Sequence, residues 1–204
     1  MKDTLKFYNG IYEKLFRKNY TKDTNRGKPA LRKFKEFMDK NNVEVDSVVD
    51  VGCAWGRSLD YWKEHGVKAV GVDVSKTALA HCNRKGYKTY LSSATDLSIF
   101  EDKKFDLYIA SDVYEHLRKD DLSDAINEAK RITKKYLLIR PHPCMDKRGL
   151  KDKSKALHLT VWSLEEWENF FREHDLEIIK IEENGETAYK NVFLMKINND
   201  IVKE

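Results

Sequence analysis

The sequence predicts an α/β fold in three layers, a mostly parallel β-sheet with helices on both faces. Three observations predict it. From Asn42 onward, short apolar stretches alternate with stretches of helical period, the pattern of parallel strands joined by right-handed helical crossovers. The first of these strands runs straight into a glycine-bearing turn and a helix, Val49-Asp50-Val51-Gly52-Cys53-Ala54-Trp55-Gly56-Arg57. The 204 residues, 41% of them hydrophobic, suit one domain of about 100–200 residues with a decorated end.

The elements follow in order. Leu5, Tyr8, Ile11, Tyr12, Leu15 and Phe16 repeat at helical spacing over residues 5–18. After a polar break from Asn19 to Lys28, Pro29 suits the first turn of a second helix carrying Leu31, Phe34, Phe37 and Met38. Strands are predicted at Ser47–Val51, Lys68–Val72, Tyr87–Leu91, Phe105–Ala110 and Tyr136–Ile139. Helices are predicted at Gly56–His65, Ser75–Arg84, Leu122–Thr133 and Ser163–His174, the last opened by a capping box of Ser163 and Glu166. Leu176–Glu182 and Ala188–Ile197 complete seven strands, turning around Gly185.

Several classes of protein are excluded at once. The apolar runs are far shorter than the roughly 18 residues of a membrane span, and Met1-Lys2-Asp3-Thr4-Leu5-Lys6 has no apolar core of a secretory signal. Three cysteines, Cys53, Cys82 and Cys144, with no C-x-x-C pair, provide neither a disulfide framework nor a four-cysteine zinc site. A cytoplasmic protein is expected.

The net charge of +4 is too small to argue for nucleic acid, but its distribution is uneven. Residues 1–40 hold twelve Lys/Arg against five Asp/Glu, and residues 140–155 hold six against two, whereas residues 160–204 hold five against eleven. Solvated Lys-rich faces are the plain reading; the sharper one is that both basic stretches border a site for an anionic acceptor.

Ligands on parallel sheets bind beyond the carboxyl ends of the strands, so the first strand–turn–helix is the place to look. A dinucleotide fingerprint needs glycine at its first, third and sixth positions; here they are Gly52, Ala54 and Arg57. A P-loop spacing at Gly66 and Gly71 is followed by Val72 where lysine is needed. Both readings fail. What V-D-V-G-C-A-W-G does resemble is motif I of the class I S-adenosylmethionine (SAM) methyltransferases, of the type 11 small-molecule kind, with Ala54 in place of the middle glycine. Val70-Gly71-Val72-Asp73-Val74-Ser75 is similar to the family's second-strand motif. Asp73 lies 21 residues after Gly52, near the ~20 expected of a ribose-binding acid. Ser92-Ser93-Ala94-Thr95-Asp96-Leu97 resembles the third-strand loop, and Phe105 to Asp112 the fourth strand.

The resemblance implies SAM as cofactor and S-adenosylhomocysteine as product. It implies a seven-stranded sheet whose last strand is antiparallel, with residues 1–44 as an N-terminal helical lid and 45–204 as the methyltransferase domain. Asp50, Gly52, Cys53, Gly56 and Arg57 would hold the methionine end, Asp73 and Val74 the ribose, Ser93, Ala94 and Thr95 the adenine edge, and Ser111 the methionyl side. Glu115 and His116, just past the fourth strand, would face the methyl group. His116 would be the general base and Glu115 its orienter, with His158 also lining the acceptor pocket; in the plainer reading the pair only shapes the pocket. Asp112-x-x-Glu115-His116 also resembles a stretch by which some O-methyltransferases hold a divalent metal, which makes Asp112, Glu115, His116 and His158 candidate ligands.

The function expected is methyl transfer to a hydroxyl or amine of a small, anionic metabolite or sugar. A metal-assisted RNA 2′-O-methyltransferase and a SAM-binding regulatory subunit without turnover are the alternatives. The absence of an added RNA-binding module argues against the first, and the Glu115-His116 pair against the second.

Overall fold

A computed structural model describes residues 4–19, 28–142, 157–179 and 191–197. Two helices, α1 (Thr4–Phe16) and α2 (Lys28–Lys40), precede β1 (Ser47–Val51). Then come α3 (Arg57–Glu64), β2 (Lys68–Asp73), α4 (Lys76–Arg84), β3 (Thr89–Leu91) and β4 (Phe105–Ser111). A 3₁₀ turn at Tyr114–His116 leads to α5 (Lys119–Ile132), β5 (Thr133–Arg140), α6 (Leu164–Glu173), β6 (Glu177–Ile179) and β7 (Phe193–Lys196). The seven strands form one sheet in the order β3-β2-β1-β4-β5-β7-β6. β7 runs antiparallel to both its neighbours, and the other pairings are parallel.

Successive strand residues point to opposite faces, and the core divides accordingly. Val49, Tyr108, Ala110, Leu137 and Ile139 pack with Ile126 and Ala129 of α5 and Trp167 and Phe171 of α6. Val48, Leu107, Ile109, Leu138 and Leu194 pack with Leu31, Phe34 and Met38 of α2 and Trp62 of α3. The expected three layers are therefore present. Among the described residues no helix is long and apolar enough to cross a membrane.

Element boundaries differ from the sequence reading in instructive places. The helix expected from Leu122 begins at Lys119, because Asp120 and Asp121 sit in its first turn and complement the positive end of the helix dipole. Thr133, read as helical, is the first residue of β5; its buried hydroxyl donates to the carbonyl of Ala129 at 2.6 Å and closes the helix as the strand starts. Ser163 and Glu166 do form the reciprocal cap of α6. The turn at Gly185 lies outside the described residues.

The two N-terminal helices have different places. α2 is part of the core, whereas α1 lies across the carboxyl ends of the strands and is tied to three successive loops. The Tyr8 hydroxyl donates to Asp121 Oδ2 at 2.6 Å and accepts from the Arg118 N–H at 3.0 Å, beyond β4. Thr95, beyond β3, donates its hydroxyl to that of Thr4 at 2.8 Å. Glu13 reaches the start of α4, accepting from the hydroxyls of Ser75 (2.8 Å) and Thr77 (2.7 Å) and from the Thr77 N–H (3.1 Å).

Desolvation pushes the Glu13 carboxyl up, but hydrogen bonds from Thr77 and Ser75, with Arg17 adding to them, outweigh it and leave its pKa at about 2. A carboxyl depressed in the fold contributes stability that is complete above its unfolded value and is lost as pH falls through the folded one. The attachment of α1 is therefore expected to weaken between about pH 4.5 and 2. Glu13→Ala should release it at neutral pH, costing roughly 1–3 kcal/mol, read as faster amide hydrogen exchange confined to α1.

Candidate active site

A cavity of about 220 Å³ opens at the carboxyl ends of β1, β2 and β4, roofed by Tyr8, Tyr12 and Phe16 of α1. Its floor is the loop after β1. Gly52 and Gly56 adopt left-handed conformations, with φ of 78° and 75°. Ala54 does so as well, at φ 46°, where the missing glycine would be cheaper. A Cβ on Gly52 would lie 2.4 Å from Val113 Cγ2, so no side chain fits there. The loop is held by its Gly52 and Cys53 N–H groups, which both donate to the Val72 carbonyl at 2.8 and 3.0 Å. α3 begins just beyond it, at the left-handed Gly56, with no side-chain hydrogen bond capping its first turn.

Asp73 ends β2, 5% exposed. Its Oδ2 accepts from the Ala54 N–H at 2.9 Å and its Oδ1 from the Ser75 N–H at 2.8 Å. Each oxygen keeps lone-pair capacity toward the cavity. Burial raises its pKa to about 6 against these hydrogen bonds. Asp50, on β1, is buried too; desolvation, opposed by the Ser58 hydroxyl and reinforced by the Asp73 charge, raises it to about 7.

Beyond β4 lies the other wall. Glu115 is wholly buried, with the backbone N–H groups of Glu115 itself and His142 beside its carboxyl but short of full hydrogen-bond geometry. Burial first, then the charge of Asp112, raises its pKa to about 8. His116 Nδ1 lies 3.0 Å from the Leu157 carbonyl. A carbonyl only accepts, so Nδ1 carries the proton and Nε2 is left basic. That Nε2 stands 4.0 Å from Glu115 Oε1, and burial lowers the pKa of the ring. The His116 ring meets Tyr12 edge-on at 5.6 Å and His158 at 4.8 Å.

Most of the residues expected in the site line this cavity: Asp50, Gly52, Cys53, Arg57, Asp73, Val74, Ser93, Ala94, Ser111, Glu115, His116 and His158. Two do not. Gly56 packs under the loop, where a Cβ would meet Cys82 Sγ at 2.9 Å, so it serves the turn and the contact with α4. The Thr95 hydroxyl goes to Ser93 and Thr4 instead of the cavity. Asp112, a candidate metal ligand, lines the cavity but gives Oδ2 to Arg140 at 2.8 Å and lies outside the cluster formed by Glu115, His116 and His158.

Sequence reasoning missed His142 as a site residue. It lines the cavity with its ring 5.3 Å from that of His158. The signal available was its place two residues past β5, at the carboxyl edge where such sheets bind ligands. Tyr8 and Tyr12 were legible only as parts of a covering helix.

Sequence and fold comparisons point the same way. A methyltransferase-domain family model of the type 11 kind matches residues 49–138, from β1 into β5. No curated protein sequence matches the chain. Solved structures share its fold at low identity. A Burkholderia thailandensis 1,6-didemethyltoxoflavin-N1-methyltransferase, bound to 1,6-didemethyltoxoflavin and S-adenosylhomocysteine, superposes with a TM-score of 0.68 at 15% identity, covering 94% of this chain and 89% of that one. A SAM-dependent methyltransferase from Clostridium acetobutylicum gives 0.66 at 15%, covering 96% and 100%. The SAM-bound magnesium protoporphyrin IX methyltransferase of Synechocystis gives 0.63 at 14%, covering 96% and 97%.

The floor and the buried acids make two expectations. Gly52→Ala should meet Val113 and strain a left-handed residue, costing about 1–3 kcal/mol and hence roughly tenfold or more in SAM affinity by calorimetry. Asp50, Asp73 and Glu115, all raised, make the folded state bind more protons than the unfolded one, so stability falls as pH rises through about 6, 7 and 8. Below about 6.5 His116, lowered in the fold, opposes the trend. The ligand-free protein should therefore melt higher near about pH 6.5 than near about pH 8.5.

Proposed function

We propose that this protein is a SAM-dependent methyltransferase acting on a hydroxyl or amine of a small, anionic metabolite or sugar, with His116 taking the acceptor's proton. The observation that carries the reading is the placement of Asp73 and the Glu115–His116–His158 group on either side of the β1 loop in one cavity, since β2 and β4 both flank β1. The residues fit the family's cofactor. The lone pairs left on the buried Asp73 carboxylate suit a vicinal diol, and the unsubstituted Gly52 and the uncapped start of α3 suit a carboxylate-bearing tail. The acid of Asp50 suits the ammonium beside that tail.

Bound there, SAM supplies a methyl group activated by the attached sulfonium. The protein's share is to hold an acceptor atom in line with it and to exclude water. Tyr8, Tyr12 and Phe16 cover the reacting space. His116 Nε2, basic because Nδ1 is committed to Leu157, accepts the proton as the new bond forms. Glu115, 4.0 Å away, favours the imidazolium that results. The basic residues from Arg140 to Lys155 support an anionic acceptor; those from 143 to 156 lie outside the described residues. Two fold relatives are named for small-molecule acceptors, an analogy at the level of fold. The modest net charge gives nucleic acid little hold.

Calorimetric titration with SAM, S-adenosylhomocysteine and NAD tests the cofactor side. Micromolar binding of the first two is expected, about −8 kcal/mol, with none of NAD, and Asp73→Ala should lose most of it while a melting curve reports that the fold persists. Binding of NAD, or full SAM affinity in Asp73→Ala, would sink the assignment. In an acceptor screen read as S-adenosylhomocysteine formed, His116→Gln should lower kcat by roughly 10²–10⁴ and leave SAM affinity in place.

A further inference from the structure

The geometry points to a divalent transition-metal site at Glu115, His116 and His158, on the acceptor side of the cavity. One carboxylate oxygen and one nitrogen from each ring lie within 4.8 Å of one another. His116 Nε2 and Glu115 Oε1, 4.0 Å apart, can share an ion lying about 2.0–2.2 Å from each. The Glu115 side chain is 1% exposed and faces the cavity, and the backbone N–H groups of Glu115 and His142 beside it fall short of full hydrogen bonds to either oxygen. A carboxyl buried so deeply is costly to ionise, and a cation between it and the two imidazoles offsets that cost.

The surrounding structure keeps the three groups together. The Leu157 carbonyl fixes the His116 tautomer from behind and directs Nε2 forward, the arrangement in which a second hydrogen bond orients a metal-binding imidazole. The segment carrying His158 is bound to the 3₁₀ turn carrying the other two. The Leu159 and Thr160 N–H groups donate to the Glu115 carbonyl at 2.9 and 3.0 Å, and the Thr160 hydroxyl donates to the Leu117 carbonyl at 2.7 Å. Ligands about forty residues apart in sequence are thus held on one backbone clamp. Two imidazoles and one carboxylate suit Zn²⁺, Co²⁺, Mn²⁺ or Fe²⁺; Mg²⁺ and Ca²⁺ prefer oxygen ligands throughout. Three protein ligands leave coordination positions open toward the cavity.

The ion's effect on the acceptor rests on the methyl-transfer reading, whereas its binding does not. With an ion present, His116 Nε2 becomes a ligand. An acceptor hydroxyl in an open position then loses its proton to solvent water at a pH nearer neutrality. Its oxygen forms the bond to the methyl carbon as the sulfur–methyl bond breaks and S-adenosylhomocysteine leaves. This selects hydroxyl acceptors over amines.

The test begins with chelator-stripped protein titrated with Co²⁺, followed by visible absorption and calorimetry, then with Zn²⁺ in competition and with Mg²⁺ separately. One equivalent of Co²⁺ with ligand-field bands, displaced by Zn²⁺ and unaffected by Mg²⁺, is expected. His158→Phe keeps a ring against His116 and removes the ligand nitrogen, and Glu115→Gln keeps the shape and removes the charge. Each should weaken Co²⁺ by roughly 100-fold with an unchanged circular dichroism spectrum. No saturable Co²⁺ binding, or equal binding in both variants, overturns the site. A parallel SAM titration keeps the two readings apart: Co²⁺ without SAM binding upholds the metal and sinks the methyltransferase reading, and SAM without Co²⁺ does the reverse.

Discussion

The cavity depends on one buried carboxylate. Asp73 ends β2, yet its two oxygens are held by the N–H of Ala54, in the loop after β1, and by that of Ser75, at the start of α4. Two loops that no strand hydrogen bond joins are thereby locked to a common point. With the Val72 carbonyl receiving both Gly52 and Cys53 from the other side, the β1 loop is fixed at each end of its turn. A charged acceptor serves better here than a neutral one, because each N–H bond to it is roughly twice as strong. Burial opposes that charge, which is why the acid sits at about 6 instead of its ordinary value.

The roof is attached to this floor by polar contacts, and that sets how firmly it closes. α1 touches the loops after β2, β3 and β4 through Glu13, Thr4 and Tyr8 in turn. Hydrogen bonds of this kind contribute about 0.5–1.5 kcal/mol each when neutral and more when charged. Its apolar share is modest: of α1, Tyr8 and Phe16 are buried, whereas α2 contributes Leu31, Phe34 and Met38 to the core. An element held mainly by loop contacts opens at lower free energy than the sheet beneath it. A cofactor covered by α1 needs such a route in and out.

Local chemistry decided what could be read from sequence. The β1 loop was legible because a strand–turn–helix needs glycine at defined places, and Asp73 because a strand ending in an acid at that interval is rare without a ligand. The packing role of Gly56 was hidden because a glycine that spares a ligand and one that spares Cys82 Sγ look the same in sequence. The hydroxyl of Thr95 was not legible as a tie to α1, because its partner, Thr4, is ninety-one residues away. Asp112 looked like a ligand from its spacing to Glu115, but the parallel pairing of β4 with β5 brings Arg140 opposite Ser111 and next to it. His142 went unseen because its ring partner in the cavity, His158, lies sixteen residues further along. Whatever depended on a register between distant strands was closed to spacing arguments.

Three of the four acids lining the cavity set its polarity. Asp50, Asp73 and Glu115 are each buried and each raised, to about 7, 6 and 8, with desolvation the largest cause in every case. Folding gains nothing from burying three carboxyls in one place, so the energy stored there is recovered only when a complementary group arrives. Asp73 has lone pairs for donors such as a diol, and Asp50 sits where an ammonium would be welcome. Glu115, with no full hydrogen bond to either oxygen, would be best satisfied by a positive charge beside His116, 4.0 Å away. A site prepaid in this way binds cationic and donor-rich ligands without rearranging when they enter, and that fixed polarity is what lets it stabilise charge moving during reaction.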